Sequence, residues 1–194
     1  MEKIPLFPLH LVMFPGSSLP LRIFEPRYTD LVSECLQTDQ GFGICLINEG
    51  SDVGGDAFCH QTGCYVKIVD WSQLEDGLLG ITVEANRRFR VAEFSKRPNK
   101  LLEGEVDWLE EDNIIVDSKY ALLQEILMRI FEHFDIKYEP GSGQMDDAAW
   151  LGYRLAEYLP IPNQDKQSLL ELETSIERLN RILELLRHSE LAVE

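Results

Sequence analysis

The chain has 194 residues, is 44% hydrophobic and 9% aromatic, and carries 34 acidic against 18 basic side chains, a net charge of −16. Such length and apolar content exclude a disordered chain and allow one domain or two small ones, with a core that needs no disulfide or metal staple. The charge repels polyanions at long range, which counts against nucleic acid or an anionic membrane as a general partner.

Residues 4–24 are largely apolar, but Pro5, Pro8, Pro15 and Pro20 interrupt any spanning helix, and no basic leader or cleavage site accompanies them. Ile4 to Leu9 reads instead as a strand whose prolines restrict it to a sheet edge or a bulge. Pro15-Gly16 suits the centre of a type II turn, and Leu19 to Phe24 reads as a strand. Pro26 begins a helix, where its missing N–H costs nothing; Tyr28, Leu31, Val32, Cys35 and Leu36 then share one face. Phe42 to Ile47 is a short apolar strand, and residues 48–56 form a polar, glycine-rich loop. Tyr65 to Leu74 and Leu78 to Phe94 pair around the hairpin dipeptide Asp76-Gly77. On the second of these strands Ile81, Val83, Ala85, Phe89 and Val91 share one parity, and Arg88 and Arg90 the other. Leu102 to Leu109 supplies the last strand.

From about residue 118 the period becomes helical, which divides the chain into residues 1–117 and 118–194. Ser118 to Phe134 carries an apolar face, Gly141-Ser142-Gly143 breaks it, and Asp146 or Asp147 caps a helix from Ala148 to Tyr158. Asn163 then caps a last helix in which Leu169, Leu172, Ile176, Leu179, Leu183 and Leu186 form an a/d seam. A bundle helix within its own chain is the favoured reading of that seam; an intermolecular coiled coil, and with it a homodimer, is the alternative. The fold class is α+β: a small β-barrel or curled sheet with one short helix, followed by a helical bundle.

Catalytic signatures are missing: there is no phosphate-cradling loop with its lysine, no H-E-x-x-H, no G-x-S-x-G and no S-x-x-K. Cys35, Cys45, Cys59 and Cys64 lack zinc-site spacing and read as buried, reduced thiols. The expectation is therefore a non-enzyme with no catalytic residue, cofactor or metal, located in the cytoplasm with no membrane span. One feature stands against the acidic background. Arg87, Arg88, Arg90, Lys96, Arg97 and Lys100 are six of the 18 basic residues. Arg88, Arg90, Lys96, Arg97 and Lys100 form a candidate phosphate-contacting patch, with surface ion pairing as the favoured reading of the same residues.

Ile4-Pro5-Leu6-Phe7-Pro8-Leu9, Phe14-Pro15-Gly16, Leu19-Pro20-Leu21 and Ile23-Phe24-Glu25-Pro26-Arg27-Tyr28 closely resemble the opening of the Lon N-terminal (substrate-binding) domain family, nearest its stand-alone bacterial members. Phe42-Gly43-Ile44, Gly63-Cys64 and Asp76-Gly77 through Arg88-Phe89-Arg90-Val91 resemble its central hairpin. Leu159-Pro160, Lys166-Gln167, Leu169-Leu170-Glu171 and Arg178-Leu179 resemble its helical tail. One departure is Ala85, where the family usually has a glycine, which puts a positive-φ bulge there in doubt. The resemblance implies a pseudo-barrel similar to PUA domains followed by a helical bundle, with Phe24 and Tyr28 packing. It implies a non-catalytic module for unfolded or tagged polypeptides, an adaptor to a protease or chaperone in protein quality control; the ATPase and Ser-Lys peptidase of full-length Lon would not fit in the remaining residues. RNA binding through the 87–100 cluster is the alternative.

Overall fold

The computed structural model describes residues 1–49, 58–138 and 144–188. The expected loop beyond Glu49 and the expected break at Gly141-Ser142-Gly143 lie outside the described residues. The chain forms two compact units, Met1–Glu110 and Glu111–Glu194.

The first unit holds six strands and one helix: β1 (Glu2–Leu9), β2 (Ser18–Ile23), α1 (Pro26–Thr38), β3 (Phe42–Glu49), β4 (Phe58–Gln73), β5 (Leu79–Lys96) and β6 (Leu102–Trp108). The strands lie in the order β2-β5-β4-β3-β1-β6, and β5 pairs with β6 as well, so β1, β3, β4, β5 and β6 close into a ring with β2 added outside. Closure abolishes most of the sheet edge. β1 and β3 are parallel, which a tight hairpin cannot achieve; the chain between them passes through β2 and α1.

β1 is not an edge strand, contrary to the expectation from its prolines. It pairs with β6 over Glu2 to Leu6 and with β3 over Leu6 to Leu9. Each half is thus paired on one side only, Pro5 in one and Pro8 in the other, and a proline fits where its missing N–H faces the unpaired side.

Two cores result. One draws on strands alone: Ile4, Leu6, Cys45, Phe89, Val91, Leu102 and Val106. The other adds Tyr28, Leu31, Val32 and Cys35 of α1 to Phe7, Phe42, Ile44, Val66, Ile81, Val83 and Ala85, with the Phe7 and Tyr28 rings stacked at 3.9 Å. Phe24, expected to pack, is 60% exposed. β5 serves both cores because Tyr65 pairs with Arg87 while Val66 pairs with Ala85, leaving Asn86 as an extra residue. That bulge turns the strand over: Ile81, Val83 and Ala85 face α1's core, whereas Phe89 and Val91 face the other. Their common parity in sequence is therefore not a common face. Phe89 lies where two glycines make room; a Cβ at Gly43 or Gly63 would come within 2.5 or 2.7 Å of its ring.

In the second unit a 3₁₀ turn, Ser118–Tyr120, leads into α2 (Ala121–His133), followed by α3 (Ala148–Tyr158), α4 (Asn163–Glu171) and α5 (Ser175–His188). The change of period near 118 marks the first helical turn, but residues before it already belong to this unit: the Ala148 amide donates to the Ile114 carbonyl, and Tyr153 Oη donates to Glu111. Asp147, of the two candidates, caps α3, accepting from the Ala149 and Trp150 amides.

The single last helix of the sequence reading is two helices. Leu172 adopts an extended conformation after α4. Thr174 and Glu177 then form a reciprocal capping box at the start of α5, each side chain accepting from the other's amide. Asn163 is the first residue of α4 and not its cap. The a/d seam is broken accordingly: Ser175, Arg178, Leu179, Ile182 and Leu186 are buried, and Leu172, Ile176 and Leu183 only half so. Arg178 takes a core position because its guanidinium donates to the Leu169 and Leu172 carbonyls at the end of α4 and lies 4.1 Å from the Tyr153 ring centroid. Among the described residues no helix is long and apolar enough to cross a membrane.

Phe89→Ala should cost about 3–5 kcal/mol in urea unfolding, since the glycines beside it cannot refill the space; a loss under about 1 kcal/mol would contradict this packing. Arg178→Met, which keeps the stem but leaves the α4 carbonyls without these donors, should cost about 2 kcal/mol.

Candidate functional site

The basic cluster of β5 does not assemble into a patch. Arg88 is 1% exposed, because past the Asn86 bulge it sits opposite Cys64 on the face of α1's core. Arg97 is fastened to Glu34 of α1 and to Glu103 of β6. Arg90, Lys96 and Lys100 are exposed, but Arg90 pairs in register with Asp107, and Glu93 and Ser95 with Glu105 and Glu103. Lys100 adopts a left-handed conformation at the β5–β6 turn, and its carbonyl accepts from buried Arg27. The Arg87 guanidinium lies over Trp108, 3.4 Å from the ring centroid. Carboxylates thus interleave with the exposed cations.

Among the described residues, three of the four cysteine thiols are shifted away from the thiolate form. Burial pushes the Cys35 and Cys59 thiols up to about 11 and raises Cys45 well above its usual value. The thiolate is the reactive form, so these groups are held in the unreactive state. All four cysteines are thiols. Among the described residues no three of His, Cys, Asp or Glu gather as metal ligands.

A different feature stands out. Beyond the ring, β2, the first part of β5 and the second part of β4 continue as a three-stranded arm. Its strands are matched through Leu21 to Ile81 and Ile81 to Trp71. The arm ends in a tight turn where Gly77 takes φ 83°, the Leu74 carbonyl accepts from the Gly77 amide, and Arg22 pairs with Asp76. A groove of about 330 Å³ runs across it, lined by Pro20, Arg22, Asp70, Trp71, Leu74 and Thr82 among others. Leu74 folds over Gly80, where a Cβ would come within 2.8 Å of it.

β3 covers β4 only as far as Val66. From Val69 to Gln73 five successive residues are exposed, with Trp71 at 60% and Val69 at 51%. A strand with one covered face would alternate; here both faces are open. Val69 is itself the extra residue of a bulge, since Ile68 and Asp70 pair with Val83 and Thr82. Sequence reasoning missed this surface. The available signal was length: β4, with 16 residues, outruns its partner β3, with eight. A second, polar hollow of about 260 Å³ lies among Glu25, Pro26, Arg27, Asp30, Asn99 and Lys100.

Residues 3–188 match the family model described as the ATP-dependent protease La (LON) substrate-binding domain. Relatives include the Lon protease of Syntrophus aciditrophicus, 25% identical over 96% of this chain, and Lon protease 1 of Hydrogenovibrio crunogenus, 26% identical over 89%. The chain spans about a quarter of the length of these curated relatives. Among solved structures, a Lon N-terminal domain protein from Xanthomonas campestris is 36% identical, with 95% of this chain and 98% of that one covered and a TM-score of 0.80. The N-terminal domain of Mycobacterium avium complex Lon protease shares the fold at 16% identity, with 96% of this chain and 99% of that one covered and a TM-score of 0.70.

Burial works to raise the Glu103 carboxyl, but hydrogen bonds from Arg97 and Lys3, reinforced by their charges, carry it below the ordinary glutamate value. A depressed folded-state pKa gives stability that is present above the unfolded value and lost as pH falls through the folded one. Glu103→Gln should therefore lower stability at pH 7 by about 1 kcal/mol, with the difference from the native chain shrinking as the pH drops through the carboxylate range; thermal melts across pH measure both.

Proposed function

The chain belongs to the ATP-dependent protease La (LON) substrate-binding domain family, and from that premise we propose that it is a non-catalytic polypeptide-binding module whose contact surface is the β2–β5–β4 arm. The observation that carries this reading is the uncovered run Val69 to Gln73 with Trp71 projecting from it. An exposed aromatic beside a groove supplies apolar contact area at low entropic cost, the usual makeup of a binding hot spot. The partners are unfolded or tagged polypeptides, and the role is that of an adaptor delivering them to a protease or chaperone in cytoplasmic protein quality control.

The alternative, RNA binding through the basic cluster, has less support. Arg88 is buried, Arg97 is held by two carboxylates, and Asp107 lies opposite Arg90 in register. Phosphate-driven binding is strongest at low salt, so an electrophoretic shift there would favour it.

Reduced, carboxymethylated α-lactalbumin, a permanently unfolded probe, should bind in fluorescence anisotropy, whereas native α-lactalbumin should not. Trp71→Asp together with Val69→Asp should weaken that binding by about fivefold or more while leaving the melting temperature unchanged. Equal affinity for the unfolded and native probes would remove the polypeptide reading; full affinity in the double variant would move the surface elsewhere.

A further inference from the structure

Resting on the polypeptide-binding reading, we propose that the uncovered edge of β4 from Asp70 to Gln73 takes up an extended, cation-bearing polypeptide segment as an added antiparallel or parallel strand, with Trp71 as its apolar anchor. A sheet edge presents backbone donors and acceptors at two-residue spacing, a pattern that only another extended backbone satisfies throughout. The arm has two such edges. The outer edge of β2 carries Pro20 at its centre, within a strand of six residues, and a proline on an edge removes a donor and blunts pairing. β4 contains no proline. Among the described residues no strand pairs with β4 beyond Val66 on the side away from β5. The Val69 bulge sets the start of the usable segment, because bulged residues fall out of a ladder.

Charge selects the segment. The arm's cations are already matched: Lys67 pairs with Asp39 at 3.2 Å and Arg22 with Asp76. Asp70 and Glu75 are exposed and make no ion pair among the described residues. They lie at the two ends of the open edge, in a chain of net charge −16. A lysine- or arginine-bearing segment is therefore attracted, while a second copy of this chain, with the same −16, is repelled. Apolar side chains at alternate positions of the guest fall on the face of Trp71, whose register partner Ile81 is already buried in the core beneath α1.

The test uses the whole chain and short fluorescent peptides. A peptide of alternating valine and lysine should bind about tenfold more tightly at low salt than one of alternating valine and glutamate. Methylating every backbone amide of the valine–lysine peptide keeps its side chains and charge but removes its donors, and should abolish binding. Trp71→Ala should weaken the unmethylated peptide by about fivefold, and Asp70→Asn with Glu75→Gln should erase most of the preference for lysine; all three positions are exposed, so each variant folds. Equal binding of the methylated and unmethylated peptides, with carboxymethylated α-lactalbumin still bound, overturns strand addition and leaves the polypeptide reading in place. Loss of binding to α-lactalbumin as well overturns both.

Discussion

β5 is an 18-residue strand that pairs with β2, β4 and β6 in turn, and its extra residue at Asn86 sets which core each of its side chains enters. Before the bulge it contributes to the core beneath α1; after it, Phe89 and Val91 enter the all-strand core. A strand without the bulge would carry Ala85 and Phe89 on one face, because side chains repeat every two residues. Phe89 would then lose its place beside Gly43 and Gly63, and the ring of strands its central filling. The same turnover buries Arg88 and so takes one member out of the basic patch that the sequence suggests. The arm follows from it too, since the part of β5 before the bulge carries β2 and the far end of β4 beyond the ring.

Buried arginines hold positions where a periodic reading expects only apolar side chains. Arg178 fills a core site on α5 and satisfies carbonyls at the end of α4, which have no partner within their own helix. Its stem lies against Gly152, where a Cβ would approach its δ carbon to 3.1 Å. Arg97 plays a related part in the first unit, joining α1 to β6 through Glu34 and Glu103, with Lys3 on the same Glu103. In both places the long stem packs while the guanidinium finds oxygen acceptors, so the side chain does structural work and is not available to a ligand.

Much of this was legible in the sequence. Pro26 and the Tyr28-Leu31-Val32-Cys35 face specify α1, Asp76-Gly77 the hairpin, and Asp147 the start of α3, because each is a local rule with a local cause. The Pro-rich opening, Ile4 to Leu9, carries the resemblance to the family whose model the chain matches. What failed were the long-range matters. Pro5 and Pro8 suggested an edge, and only the pairing of the two halves of β1 on opposite sides reconciles them with an interior strand. The break before α5 was written in Thr174-Ser175-Ile176-Glu177, but the regular leucine spacing on either side concealed it. The bulge at Asn86 forms without the positive φ that a glycine at position 85 would permit, and only the matching of β4 with β5 locates it. The candidate surface left only an indirect signal, the greater length of β4 than of β3, because exposure of Trp71 depends on where β3 stops and not on anything adjacent to Trp71.

The proposed surface on β4 is most directly tested by amide hydrogen exchange of the whole chain, with and without carboxymethylated α-lactalbumin. If polypeptides are held at the arm, exchange slows in residues 67–73 and in β2 on adding the unfolded protein, while α3 and α5 are unaffected. Slowing confined to the helices, or around the β5–β6 turn at Lys100, with residues 67–73 unchanged, would contradict it.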